Sequence, residues 1–193
     1  MSGDDSMLAL AALVPVGARV LDLGCGDGRF LAHLQNTRQC HGYGVEIDDS
    51  KVAACIARGV NVLQLNLDEG LQMFEDQSFD VVLQLDTLQH LRNAEVMLRE
   101  TARVGRIGIV SFPNFAHWPN RLQVLLGRMP VTKRLPYQWY NTPNIRVGTF
   151  ADFEVLAQAN NLRIAEGFGL HGGTSRRWLP NLTASTAVFK FHT

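Results

Sequence analysis

The chain has 193 residues, and its 18 lysine and arginine residues balance its 18 aspartate and glutamate residues, so the formal net charge is zero. Hydrophobic residues make up 46% of the sequence and charged residues 19%, which excludes a disordered or fibrous protein. Neutrality also argues against a general nucleic-acid-binding protein, because such domains are usually basic. We expect one domain over residues 1–193. The three cysteines form no CxxC pair, which predicts neither a disulfide framework nor a metal site and indicates a reducing, cytoplasmic compartment.

An apolar stretch lies near the N-terminus, at residues 7–16. Asp4 and Asp5 stand where a signal peptide would carry positive charge, and the stretch is too short to cross a bilayer. We therefore predict a short leading helix packed on the domain and no membrane segment.

Strand-like apolar runs then alternate with helix-like segments at intervals of about 20 residues, which is typical of a βαβ-wound sheet. Asp49 or Ser50 is expected to cap the helix predicted at 49–58, and Gly59 is expected to end it. The pattern predicts an α/β, doubly wound, mostly parallel seven-stranded sheet. The predicted strands are 19–23, 41–45, 60–64, 79–84, 107–111, 163–168 and 186–191, and the predicted helices 29–35, 49–58, 94–103 and 149–160.

The alternation breaks at residues 112–147, which hold five of the seven prolines and one plausible short helix at 120–126. This insert is too long and too aromatic for an ordinary connection, so we expect a lid, a binding loop or a partner surface. Residues 1–100 carry 15 acidic and 7 basic side chains, whereas residues 101–151 carry seven basic and none acidic. We expect Arg128, Lys133 and Arg134 to meet an acidic partner face or an anionic ligand.

Residues 20–28 read VLDLGCGDG, a buried strand that runs into a turn with glycine at positions 24, 26 and 28. Glycine there lets the backbone approach a ligand closely and adopt positive φ. A GxGxxG dinucleotide fingerprint would need its third glycine at Arg29. The GxGxG spacing, preceded by Asp22 inside the strand, resembles motif I of class I S-adenosylmethionine-dependent methyltransferases.

The resemblance implies a cofactor, S-adenosylmethionine or S-adenosylhomocysteine. Glu46, 18 residues after Gly28, would accept hydrogen bonds from both ribose hydroxyls, as carboxylates do at the end of the second strand in such folds. Asn66 and Leu67 would frame the adenine, and Gln84 would line the pocket together with Leu85. The full set of implied cofactor-binding residues is Asp22, Gly24, Cys25, Gly26, Glu46, Ile47, Asn66, Leu67 and Gln84.

Other interpretations of these residues remain open. The glycines can serve only a tight strand-to-helix turn, and Asp22 can orient that turn through backbone hydrogen bonds without touching a ligand. Asn66 can be an ordinary loop residue. Cys25 is interpreted as a small packing residue and not as a nucleophile, because no base stands beside it in sequence.

Further segments narrow the resemblance, which then covers nearly the whole chain. They include RVLDLGCGDG at 19–28, GYGVEID at 42–48, IVSFPNFAHW at 109–118 and GRMPVTKRLPYQWYNTPNI at 127–145. On these segments the sequence is similar to the methionine-biosynthesis MetW family, whose members have a class I methyltransferase-like domain and accompany homoserine O-acyltransferases. The resemblance implies an accessory or activating subunit that contacts the acyltransferase through the insert.

The sequence contains no G-x-S-x-G nucleophile elbow, so the chain is not expected to be an acyltransferase itself. No catalytic residue is assigned, although His90 and His117 are candidates for proton transfer and packing is the alternative for His90. A self-sufficient small-molecule methyltransferase is the competing hypothesis. The aromatic and basic residues of the insert are interpreted as a protein interface that contributes to a lid, in preference to a nucleic-acid surface.

Overall fold

A computed structural model describes residues 2–192, and the side chains of residues 5–192. Strands and helices alternate along most of this part of the chain. The strands are β1 Arg19–Leu23, β2 His41–Glu46, β3 Val62–Gln64, β4 Phe79–Leu85, β5 Gly105–Pro113, β6 Arg163–His171, β7 Thr174–Arg176 and β8 Thr186–His192. The α-helices are α1 Ser2–Ala11, α2 Arg29–Arg38, α3 Asp49–Ala57, α4 Ala94–Val104, α5 Trp118–Leu125, α6 Phe150–Ala159 and α7 Pro180–Thr183, with 3₁₀ turns at Leu67–Glu69 and Leu88–His90.

The strands form one sheet in the order β3-β2-β1-β4-β5-β8-β6-β7. Strands β1 to β5 pair in parallel, and β8 inserts antiparallel between β5 and β6. The α/β, mostly parallel fold class is confirmed. The described residues contain an eighth strand, β7, between the strands predicted at 163–168 and 186–191. It was not predicted, because its three side chains are all exposed and carry no hydrophobic pattern.

Both faces of the sheet are covered, as parallel strands require. Side chains alternate between the two faces along each strand, so Val81 and Leu83 of β4 share a core cluster with Leu31 and Leu34 of α2. The intervening Val82 packs in another cluster with residues of α4. This alternation decides which β4 side chains can reach a ligand at the end of the strand.

The start of α3 differs from the prediction by one residue. The cap is Asp48, not Asp49 or Ser50, because Asp48 has extended dihedral angles of φ −78° and ψ 121° and its carboxylate accepts hydrogen bonds from the amides of Ser50 and Lys51. This is the geometry of a helix N-cap, in which a side-chain oxygen satisfies two amides that have no partner within the helix. Gly59, at φ +75°, follows the helix.

At the N-terminus, Leu10 and Ala9 of α1 pack against the core cluster that contains α2. Within the described residues, no helix combines the length and apolar character needed to cross a membrane.

In the insert, β5 extends to Pro113 and α5 begins at Trp118, two residues earlier than predicted. Residues 126–149 contain no further helix or strand. They are nevertheless tied to the sheet, because the amides of Ile145 and Arg146 both donate to the Gln89 carbonyl at 3.0 Å. The single domain over residues 1–193 and the role of residues 112–147 as a lid or partner surface within it stay predictions.

Candidate cofactor site

The carboxyl ends of β1, β2 and β4 meet at one edge of the sheet, where open α/β folds bind ligands. The glycine turn after β1 is fixed to β2 there, since the amides of Gly24 and Cys25 donate to the Val45 carbonyl at 2.8 and 3.0 Å. Gly24, Gly26 and Gly28 all have positive φ, at 76°, 60° and 75°. Glycine adopts this conformation without the strain that a side chain would add.

Glu46 ends β2 and is 6% exposed. Its Oε2 accepts a hydrogen bond from the Gly26 amide at 3.0 Å, and its Oε1 accepts from the amides of Ile47 at 2.9 Å and Asp48 at 3.1 Å. The Lys51 ammonium lies 4.0 Å from Oε2. Three backbone donors and one cation therefore hold the carboxylate in place, while its remaining lone pairs are available to a ligand.

A cavity of about 590 Å³ lies beside Glu46, within the range of about 300–1,000 Å³ typical of small-molecule sites. We call it the cofactor cavity. Six of the nine residues predicted to bind the cofactor line it together: Gly24, Gly26, Glu46, Ile47, Asn66 and Leu67.

Gln84 lies outside the cofactor cavity, contrary to expectation. Its side chain is fully buried and donates hydrogen bonds to the Thr101 hydroxyl and the Met97 carbonyl of α4. The physical reason is the alternation of side chains along β4, which places residue 84 on the same face as Val82. Leu85 points the other way and lines a different cavity.

Asp22 and Cys25 also lie off the cavity wall. The Cys25 sulfur is 3.8 Å from that of Cys55, both residues are buried, and burial raises the pKa of both thiols. A thiol held protonated in this way is a poor nucleophile, which agrees with the interpretation of Cys25 as a packing residue.

Asp22 is 3% exposed, and no group in the described part of the chain donates a hydrogen bond to its carboxylate. Burial, with added repulsion from Glu46, raises the pKa of Asp22 from 3.8 to about 7. A buried carboxylate without a partner is costly. In the described contacts, Asp22 therefore does not orient the turn through hydrogen bonds of its own. A nearby cation would stabilise its charged form.

Asn66 is held by its own turn. Its Oδ1 accepts from the Asp68 amide at 3.1 Å and its Nδ2 donates to Glu69 Oε1 at 3.1 Å. Its side chain therefore caps the Leu67–Glu69 turn, so contact with an adenine amino group would require Asn66 to exchange these bonds.

One residue of the cavity wall, Thr87, carries no signal in the sequence. Thr87 donates from its hydroxyl to the Leu23 carbonyl at 2.7 Å, and a Cβ added to Gly24 would lie 2.5 Å from that hydroxyl oxygen. Tyr137 and Pro143 reach the cavity from the insert. Their positions depend on tertiary folding, although the aromatic content of the insert did indicate a lid.

The two candidate histidines are separated. His90 lines the cofactor cavity, and its Nδ1 lies 3.1 Å from the Pro143 carbonyl. His117 lies in another cavity. Among the described residues, no group of three or more His, Cys, Asp or Glu side chains is placed to hold a metal ion.

The residues present fit a positively charged nucleoside cofactor. Gly26 borders the cavity, and a Cβ built on it would meet no atom within 4 Å, so a ligand can approach this backbone closely. Glu46 offers a fixed acceptor, and Asp22 is an uncompensated buried carboxylate nearby.

A family model described as "Methionine biosynthesis protein MetW" matches residues 4–191. The chain belongs to the MetW family. A bifunctional methionine biosynthesis protein MetXA/MetW from Rhodopirellula baltica is 37% identical to this MetW chain over 95% of its length. The MetW chain spans about a third of that relative, 32% of its length.

Known methyltransferases resemble the same MetW chain. The ubiquinone biosynthesis O-methyltransferase of Hahella chejuensis is 29% identical over 64% of this chain and 56% of its own. A solved complex of the Haloferax volcanii Trm112 methyltransferase activator with a putative methyltransferase contains a chain that matches at a TM-score of 0.74 and 16% identity, covering 97% of this chain and 88% of that one. Magnesium protoporphyrin IX methyltransferase from Synechocystis, solved with bound S-adenosylhomocysteine, matches at a TM-score of 0.69 and 18% identity. The match covers 99% of this chain and 83% of that one. At such identities the likeness establishes the class I methyltransferase fold.

Proposed function

We propose that this MetW chain is an S-adenosylmethionine-binding accessory subunit that associates with homoserine O-acyltransferase in methionine biosynthesis. The observation that carries the proposal is the Rhodopirellula baltica relative, in which one polypeptide named MetXA/MetW includes a segment 37% identical to this chain. Two functions joined in one chain in one organism are expected to act together as separate chains in another. The lack of a nucleophile elbow in the sequence supports the accessory role.

The cofactor part of the proposal rests on the geometry of the cavity. Glu46 would accept hydrogen bonds from the ribose, and Asp22 would lie near the cationic methionine portion beside the Gly24 and Gly26 turn. When bound, S-adenosylmethionine supplies a methyl group activated by its positively charged sulfur. The chain's own residues would bind and orient it, and Tyr137 of the insert borders the cavity on one side.

The insert offers the surface for the partner. Large apolar side chains are strongly exposed there, among them Leu125 at 83%, Trp139 at 71% and Tyr140 at 70%. Exposed aromatic and aliphatic clusters mark protein interfaces. Arg121 and Arg128 lie on the same segment and have no carboxylate within ion-pair distance among residues 5–192, so they can contribute to attraction of an acidic surface.

Co-purification with homoserine O-acyltransferase from the same organism, followed by activity measurements with and without this chain, tests the proposal. We expect a complex on size-exclusion chromatography and an altered acyltransferase rate. Adding S-adenosylmethionine or S-adenosylhomocysteine to the same assay tests whether the cofactor acts as a signal. Absence of a complex together with an unchanged rate overturns the accessory role, and calorimetry without detectable binding of either compound overturns the cofactor assignment.

A self-sufficient methyltransferase is the second candidate, favoured by the position of His90 on the wall of the cofactor cavity. A histidine there could accept a proton from a methyl acceptor. Transfer of a labelled methyl group to a metabolite in the absence of any partner, lost in Glu46→Ala, would support this function over the accessory role.

A further inference from the structure

A second cavity of about 600 Å³ lies next to the cofactor cavity, and Asp86 lines both. It is bordered by α1, by the insert, by the ends of β4, β5 and β6 and by the start of β8. Its wall is partly apolar, through Leu10, Leu85 and Leu170, and partly polar, through His117, Lys133 and Arg134. No role described above uses this space.

His117 is the buried polar group of the second cavity. The residue is 6% exposed, and its imidazole has no hydrogen-bond partner among the described residues. Its ring centroid lies 4.9 Å from that of His171, which also lines the cavity. The imidazole nitrogens of His117 are therefore free to form a hydrogen bond with a ligand in the cavity that the residue lines.

The charges around the second cavity are unbalanced. Arg134 forms an ion pair with Asp86 and donates from Nε to the Thr186 hydroxyl at 2.9 Å. Lys133 has no carboxylate within ion-pair distance in the part of the chain that the structure describes. Asp5 lies near the rim, where a Cβ added to Gly173 would be 2.5 Å from its Cβ. Asp86 is the carboxylate of the wall itself, and Arg134 already neutralises it, so Lys133 remains as an uncompensated cation.

We propose that the second cavity binds a small organic anion. The carboxylate of the ligand pairs with Lys133 and accepts a hydrogen bond from His117, while its hydrocarbon body packs against Leu10, Leu85 and Leu170. Inorganic phosphate would meet the cation but leave the apolar wall exposed to water, so an organic acid suits the cavity better. This inference is independent of the proposed function, because it requires neither the cofactor nor the acyltransferase.

Butyrate, its uncharged analogue butyramide and inorganic phosphate are suitable probes. The intact protein, labelled with ¹³C at the imidazole of its six histidines, is titrated with each probe and followed by NMR. We expect butyrate to shift the His117 and His171 resonances in a saturable manner and to leave His33, His41 and His192 unchanged. Butyramide and phosphate should give much weaker responses. Equal responses to butyrate and butyramide, tight phosphate binding, or uniform shifts of all histidines would overturn the proposal.

Variants then test the residues assigned. Lys133→Ala should weaken butyrate binding about tenfold, the loss expected for one charge-assisted contact. The matched control, Arg128→Ala, removes an exposed cation of the same insert that does not line the second cavity and should leave butyrate binding unchanged. Lys133 is exposed, so its variant is expected to fold normally. Unchanged affinity in Lys133→Ala, or an equal loss in Arg128→Ala, would overturn the assignment.

Discussion

The Gly26 amide donates a hydrogen bond to Glu46 Oε2 at 3.0 Å, which joins the glycine turn after β1 to the end of β2. The other oxygen of the carboxylate is held by the two amides that follow it in sequence. An acceptor fixed by three backbone donors needs little reorganisation when a ligand arrives. The two residues with the strongest sequence signal for a cofactor thus form one structural unit.

Glu46→Ala should reduce affinity for S-adenosylmethionine at least about tenfold, since each hydrogen bond to a charged group contributes about 1.5–3 kcal/mol. Isothermal titration calorimetry measures the change. Glu154→Gln, at an exposed carboxylate of α6, is the control and should bind like the wild type. Wild-type affinity in Glu46→Ala would show that the carboxylate does not hold the ligand.

Gly26→Val should abolish cofactor binding, because the new side chain would strain a backbone at φ +60° and enter open space beside the cavity. The strain alone is worth about 1–2 kcal/mol. Gly59→Val is a matched control, since Gly59 has φ +75° and also has no atom within 4 Å of an added Cβ, yet does not line the cavity. We expect similar losses of stability in urea unfolding but a loss of binding in Gly26→Val alone. A parallel loss of binding in both variants would assign the effect to backbone strain.

Asp22 should make the protein less stable as pH rises. Its pKa is raised from 3.8 to about 7 by burial and by Glu46, so the folded state binds this proton more tightly than the unfolded chain, and stability falls between these two pH values. Asp22→Asn should therefore be more stable than the wild type above pH 7, by up to about 4 kcal/mol, and similar to it near pH 4. Urea unfolding across this range measures the difference. A difference in free energy of unfolding between Asp22→Asn and the wild type that does not vary with pH would contradict the raised pKa of Asp22. Glu154→Gln again serves as the control.

Trp139→Ala and Leu125→Ala should each weaken the complex with the acyltransferase, by about 2 kcal/mol if the side chain is an interface hot spot. Both side chains are largely exposed, so their removal should not affect folding. Trp178, 77% exposed and outside the insert, provides the matched aromatic control. Surface plasmon resonance measures the affinities, and an equal effect of Trp178→Ala would move the interface away from the insert.

The double substitution Arg121→Gln and Arg128→Gln should slow association with the partner. It should also make the association rate less dependent on salt, because exposed charges act mainly on the rate of encounter. Arg134 was also expected to meet the partner, but its ion pair with Asp86 makes it a poorer candidate. Arg176→Gln, at an exposed arginine of β7, is the control. Stopped-flow mixing at several salt concentrations distinguishes the variants.

Local sequence patterns were sufficient to predict the sheet and to place the glycine turn and Glu46 at the ends of its strands. Buried strands such as β1 are mostly apolar, Gly26 lies in the turn after β1 and Glu46 ends β2, so the ends of neighbouring parallel strands bring these two residues together. Local pattern does not fix the last residue of a strand, and therefore does not fix the face to which a side chain near that end points. Gln84 was expected at the ligand because it was taken as the last residue of β4, but the strand continues to Leu85 and alternation directs Gln84 to α4.

Contacts between distant segments could not be predicted from local pattern. Thr87 reaches the β1 turn across 64 residues of chain, and Tyr137 reaches the cavity from a segment without helix or strand. β7 has three exposed polar side chains, and its place in the sheet is determined by pairing with β6 and not by its own residues.

Tyr137 lines the cofactor cavity, while Trp139 and Tyr140 of the same segment face solvent. One short stretch of chain therefore has one end at the ligand and the other at the expected partner surface. Thermodynamic reciprocity then applies: if docking of a partner on this stretch tightens cofactor binding by about tenfold, the loaded protein must bind that partner tighter by the same factor. Under that condition, the concentration of the cofactor would set how much of the complex is assembled.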